Sequence, residues 1–210
     1  MIPKIIHQVY LGNIPAEIQS RMGGVQRMNG DFTYRLHSST KSFEDDSYVQ
    51  WILSSRAPLA FLVDRIRLLA LMREGGFYVD ADALACRPLS TLEVFSDPKI
   101  DFVFGMRSPD RNGVGLHGPI ALVDNTFMGS AKGGRLVRKL LELYHPGGKV
   151  QNGSTVGKHI LRHMDQDTRV FNFRYFYGEQ KYPESVFLHD SINLASWVQQ
   201  KDLAYGTIKK

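Results

Sequence analysis

The chain has 210 residues, 43% hydrophobic and 22% charged, and no block of like charges, which suits one globular domain with a buried core and excludes a disordered chain. Its net charge of +5 and pI near 9.3 favour an anionic partner such as a phosphorylated metabolite or an acidic membrane surface. Its basic residues are scattered without aromatic interleaving, so no nucleic-acid partner is expected. A single cysteine, Cys86, excludes a disulfide framework and a cysteine-based zinc site; with no apolar run of membrane-spanning length and no signal peptide, a cytoplasmic domain without a transmembrane segment is expected.

Residues 4–11 (KIIHQVYL) are an apolar, β-branched run closed by Gly12-Asn13. They predict a buried first strand whose carboxyl end, with His7, Gln8 and Tyr10, borders a ligand edge. A helix is predicted from Pro15 to Met28, with Gly30 past its end, and a second strand over residues 32–37. Ser47 then caps a short helix bearing Val49, Trp51, Ile52 and Leu53. Pro58 opens the central helix, where Leu59, Leu62, Ile66 and Leu69 form one face at 3–4 spacing. Asp64 and Arg67 lie on its other side among Leu68 and Leu71. That side is not a solvated charged face, and a buried structural pair and a functional pair are equally open readings. Gly75-Gly76 breaks the helix, and a short strand runs to Asp80-Ala81-Asp82.

Beyond it the pattern predicts a turn or short helix at 88–95 and a strand at 101–106. A Gly- and Pro-containing loop over 107–118 has the length of functional loops. Further predicted elements are a strand over 119–128, helices over 135–145 and 155–164, a β-like stretch over 170–177 and a strand at 186–189. The alternation predicts a single α/β domain with a mostly parallel central sheet flanked by helices.

The chemistry concentrates at Asp80 and Asp82. Strand alternation places Tyr78, Asp80 and Asp82 on one face, with the two carboxylates roughly 6.5–7 Å apart. Like charges so placed raise each other's pKa unless a cation lies between them. Mn²⁺ or Mg²⁺ accepts such oxygen ligands together with substrate phosphates. The plainer alternative is a pair of solvated acids at a strand end.

The stretches IPKIIHQVYLG, DRIRLLALMREGGFYVDADALACRPL and SINLASW resemble the DXD-motif sugar-nucleotide glycosyltransferases of GT-A fold. Within these the likeness is to the capsular-polysaccharide and mannosyl-type enzymes, to chlorella-virus transferase domains and, more distantly, to the clostridial glucosylating toxins. The dense match covers about 35 central residues. The resemblance implies a metal-dependent, retaining transfer of a hexosyl group from a nucleotide-diphosphate donor, UDP-sugar favoured, to a glycan or other hydroxyl acceptor.

It divides the chain into a nucleotide-binding half of about residues 1–92 and an acceptor or closing half of about 93–210. A monomer, or one part of a larger multidomain chain, is expected. Val9, Tyr10 and Gln8 fall where the family holds the base, and Asp64 and Arg67 where it contacts ribose or sugar hydroxyls. Tyr78 and Asp80 fall beside the ribose and metal, and Asp82 matches the direct metal ligand. His189 matches a late metal or diphosphate contact, Asn125 a sugar contact, and Ser196-Trp197 a tail closing over the diphosphate. Two rival readings remain: a phosphohydrolase using Asp80 as nucleophile and Asp82 as acid, and a non-catalytic sugar-nucleotide binding module.

Overall fold

The computed structural model describes residues 1–55, 57–106, 123–147, 153–176 and 181–188. In chain order the elements are β1 (Ile5–Val9), α1 (Ala16–Met28), β2 (Thr33–His37), α2 (Ser47–Ser55), α3 (Leu59–Glu74), β3 (Gly76–Val79) and β4 (Leu84–Ala85). They continue with β5 (Phe102–Met106), β6 (Val123–Ser130), α4 (Arg135–Leu141), α5 (Gly153–His163), β7 (Thr168–Phe171), α6 (Phe173–Phe176) and β8 (Phe187–Leu188).

Six strands form one sheet in the order β2-β1-β3-β6-β5-β7. The pairs β1–β2, β1–β3 and β5–β7 are parallel, while β6 runs antiparallel to both β3 and β5. The expected α/β architecture with a mostly parallel sheet is therefore present. Strands from both halves of the chain share this sheet.

Alternation along the strands sorts the core into two layers. Val9, Tyr78, Phe102, Phe104 and Met128 face α2, α3 and α4. Ile6, Phe77, Val79, Val103 and Phe127 face the opposite layer, with Val25 of α1, Phe176 and Phe187. The small antiparallel β4–β8 pair lies beside α1.

α3 is buried on nearly every side, with Leu68 and Leu71 as enclosed as Leu62 and Ile66, and with Arg65 and Arg67 buried among them. The diglycine that ends it has a steric reason. Gly75 and Gly76 have φ of 72° and 101°. A Cβ on Gly76 would sit 2.5 Å from the Ile5 carbonyl oxygen, and one on Gly75 would sit 2.6 Å from the Lys132 nitrogen. Only glycine lets the chain leave α3 and enter β3 this close to β1.

Several boundaries differ from those expected. β1 stops at Val9, and β3 stops at Val79 because Asp80–Ala83 is a turn closed by the Ala83 amide donating to the Asp80 carbonyl at 3.1 Å. The strand expected at 119–128 is described from Val123 and continues to Ser130. α4 ends at Leu141, where the Leu143 and Tyr144 amides bond three residues back. The β-like stretch at 170–177 divides into β7 and α6, since the Asn172 side-chain oxygen accepts the Arg174 amide at 3.0 Å and starts a helical turn. Asp46, not Ser47, caps α2: its Oδ1 accepts the amides of Tyr48 and Val49, both at 3.1 Å.

Candidate active site

Three elements converge at the carboxyl end of β3. The helix turn spacing on α3 puts Asp64 and Arg67 side by side, with Arg67 Nη2 2.9 Å from Asp64 Oδ1. β3 delivers Asp80, whose amide donates to the Thr126 carbonyl of β6 at 3.0 Å, and Arg67 Nη1 lies 3.6 Å from Asp80 Oδ1. β6 delivers Asn125, which donates its amide N–H to Asp64 Oδ1 at 2.9 Å and accepts Arg67 Nη1 on its backbone carbonyl. The guanidinium also stacks over the Tyr78 ring at 4.4 Å.

Arg67 is 7% exposed. Burial works to lower its pKa, but Tyr78, Asp64 and Asp80 around it raise it on balance, so it stays cationic. Burial pushes the Tyr78 hydroxyl well above its ordinary pKa, against the pull of Arg67. Tyr78 is thus a neutral donor, and it gives its hydrogen to Asp80 Oδ1 at 2.6 Å. One donor is left over: among the described residues Arg67 Nε is buried with no hydrogen-bond partner. An unmet buried N–H is uncommon enough to need an explanation.

Arg67 thus stands between Asp64 and Asp80, not between Asp80 and Asp82 where the sequence led to the expectation of a cation. Asp82 is not on the strand face with Tyr78 and Asp80, because the turn at Asp80–Ala83 interrupts the alternation. It is half-buried, and Arg21 of α1 donates to its carbonyl at 2.8 Å while Glu17 braces Arg21 at 3.0 Å. The pairing of Glu17 with Arg21 is readable from i,i+4 spacing, but the reach of Arg21 to Asp82 is not.

Gln8 is fully buried and occupied at both ends of its amide: Nε2 donates to the Asp80 carbonyl at 3.0 Å, and Oε1 accepts the Tyr34 hydroxyl at 2.6 Å. Burial pushes the Tyr34 pKa up to about 12, so it remains a donor. Gln8 and Tyr34 therefore pin the backbone of the Asp80 turn, a part Tyr34 gave no sequence sign of playing. Val9 is buried in the core against α2 and α3. Tyr10 is 6% exposed and packs on Ile18, Met22 and Ala81. Tyr78 is 1% exposed and acts through Asp80.

The structure thus brings Asp64, Arg67, Tyr78, Asp80, Asn125 and Gln8 into one connected network, with Asp82 and Tyr10 along its edge. His189, Ser196, Trp197 and the 107–118 loop lie outside the described residues. Among the described residues no three His, Cys, Asp or Glu side chains gather into a metal-binding group.

No family model matches the sequence, and no curated protein matches it. Solved structures do match the fold. The glycosyltransferase PaToxG superposes with a TM-score of 0.59 at 17% identity, over 99% of this chain and 78% of that one. A glycosyltransferase involved in glycosylation of the major capsid of PBCV-1 gives 0.57 at 13% identity, over 95% and 99%. The galactosyltransferase LgtC, solved in complex with donor and acceptor sugar analogs, gives 0.52 at 11% identity, over 98% and 96%. At such identities the likeness bears on fold alone: the chain has the GT-A-type glycosyltransferase fold.

Proposed function

We propose that the chain is a metal-dependent glycosyltransferase that moves a sugar from a nucleotide-diphosphate donor, a UDP-sugar by preference, to a glycan hydroxyl with retained configuration. The observation that carries the reading is the Asp64–Arg67–Asp80 network, with its buried and unmet Arg67 Nε–H, at the strand edge of a GT-A-type fold. Asp64 and Asp80 offer acceptors for the hydroxyls of a donor, and the buried guanidinium holds them in place. Because Arg67, Asn125 and Tyr78 already orient both carboxylates, they are set before the ligand arrives.

Asp82, with Asp80 beside it, has the hard oxygen donors that Mn²⁺ or Mg²⁺ requires, and His189 is the proposed further ligand. The ion, when bound, supplies Lewis-acid stabilisation of the charge developing on the departing diphosphate. Tyr10 is proposed to lie under the base, and Ser196 and Trp197 to close over the diphosphate and exclude water. The phosphohydrolase reading is less well supported, since Asp80 Oδ1 is held by a neutral phenol and faces a guanidinium, both of which reduce its nucleophilicity.

Screening nucleotide sugars for donor hydrolysis and transfer with Mn²⁺ tests the proposal. Turnover of one UDP-sugar is expected, and Asp82→Ala should lower it by about a hundredfold or more while the circular dichroism stays unchanged. Failure of every nucleotide sugar to turn over, or near-normal turnover by Asp82→Ala with Mn²⁺, would remove the assignment.

A further inference from the structure

At the candidate site Arg67 and Arg21 stand against Asp64, Asp80 and Asp82, so positive charge is not in excess there. Among the described residues a run of basic side chains lies on α4 and α5 instead. α4 contributes Arg135, Arg138 and Lys139, α5 contributes Lys158 and Arg162 beside the rings of His159 and His163, and neither helix contains an acidic residue. The two helices pack together. Lys139 Nζ lies 3.3 Å from His163 Nδ1, and the His159 and His163 rings are 5.9 Å apart. The His163 pKa is lowered by loss of solvent and then by the nearby Lys139, with smaller effects of the same sign from the residues around it. Asp165 engages Arg135 at the margin of this face.

Two aliphatic side chains project among these cations. Leu161 is 37% and Met164 40% exposed. Lys158, Leu161 and Arg162 share one helix face by their three- and four-residue spacing. Like charges held together are unfavourable unless an anionic surface meets them. A packed pair of helices offering cations with protruding aliphatic groups fits a lipid headgroup layer: the cations meet phosphates and carboxylates, and the aliphatic groups enter the headgroup boundary. Single-stranded nucleic acid would call for stacking platforms, which Leu161 and Met164 do not provide.

β6 ends at Ser130 opposite Gly76, the first residue of β3, so α4 starts at the end of the sheet away from the Asp80 turn. We propose that the α4–α5 face docks the protein on a membrane surface rich in anionic phospholipid, leaving the Asp80 edge open. This docking stands apart from the proposed transferase activity.

Co-sedimentation of the full chain with vesicles tests it, comparing phosphatidylcholine alone with phosphatidylcholine containing about one third phosphatidylserine. The protein should pellet with the anionic vesicles only and be released by raised salt. Replacing four cations of this face together (Arg138→Gln, Lys139→Gln, Lys158→Gln, Arg162→Gln) should weaken partitioning roughly tenfold or more. The melting temperature should be unchanged. Lys209 and Lys210 remain in that variant, so its loss would locate binding on α4 and α5. The pair Leu161→Ser and Met164→Gln should weaken partitioning by about threefold at unchanged charge. Equal pelleting with both vesicles, or an unaffected quadruple variant, would overturn the proposal. So would an unaffected aliphatic variant that duplex RNA displaces from the vesicles, which would assign the face to nucleic acid.

Discussion

Tyr78 is a side chain whose surroundings dictate its protonation. With its ring under Arg67 and its oxygen 2.6 Å from Asp80 Oδ1, the phenol must keep its hydrogen to hold the carboxylate. Tyr78→Phe leaves the packing and removes only that bond. Urea denaturation should show a loss of about 1–2 kcal/mol. Donor turnover should fall by about tenfold, since Asp80 would no longer be held in one rotamer. His7 and His37 make a second telling pair. His7 Nε2 is 2.9 Å from the Gly75 carbonyl and must donate to it, so His7 Nδ1 accepts from His37 Nε2 at 2.9 Å, and both rings are neutral. Burial, and then the neighbouring His7 ring, lower the His37 pKa from 6.5 to about 4, and burial lowers that of His7. The unfolded chain therefore takes up protons first as the pH falls from about 6.5 toward about 4, and stability declines across that window. Denaturation midpoints near neutrality and at about pH 5 should show the decline, and His37→Gln, which keeps an N–H donor toward His7, should flatten it.

Among the elements, α3 decides most, because it is held on all sides by side chains from its neighbours. Arg65 lies on the turn next to Arg67 yet serves a different end. Its guanidinium makes a two-pronged pair with Asp46 at 3.1 and 2.6 Å, donates to the Leu141 carbonyl at 2.6 Å, and lies 5.7 Å from the Tyr48 ring centroid. Asp46 thus caps α2 and ties α2 to α3, while Arg65 ties α3 to the end of α4. Asp46→Ala should remove the cap and leave a buried arginine unmatched, a loss of about 3 kcal/mol or more in chemical denaturation. Donor affinity of the remaining folded protein should be preserved, because Arg65 points away from the Asp80 turn. Two arginines two positions apart therefore divide into a structural anchor and a site residue. The sequence left that distinction open for Asp64 and Arg67, since a helix face full of leucines buries either kind of pair.

For the whole molecule, the two apolar layers of the core are built from side chains of the sheet and its helices, and Asp80 and Asp82 belong to neither. On the proposed metal-dependent transfer, a chelator should abolish donor turnover and leave the melting midpoint within about 2 °C of its starting value. A large drop in the midpoint would instead make the ion part of the fold.

Hydrophobic periodicity, proline and diglycine signals determined the order of elements, the α/β class, the burial of α3 and the placing of Asp80 at a strand end. These depend on local steric and solvation preferences that each segment carries by itself. Tertiary structure alone decided the rest. It stopped β3 at Val79 and turned Asp82 off the strand face. It bound Gln8 to the Asp80 backbone, set Arg67 between Asp64 and Asp80, and packed the basic helices α4 and α5 against each other. Partners 58 to 72 positions apart meet in these contacts, as Arg67 does with Asn125 and Gln8 with Asp80. No spacing rule reaches across such distances, because the pairing is set by how the sheet and its helices pack and not by the chain between them.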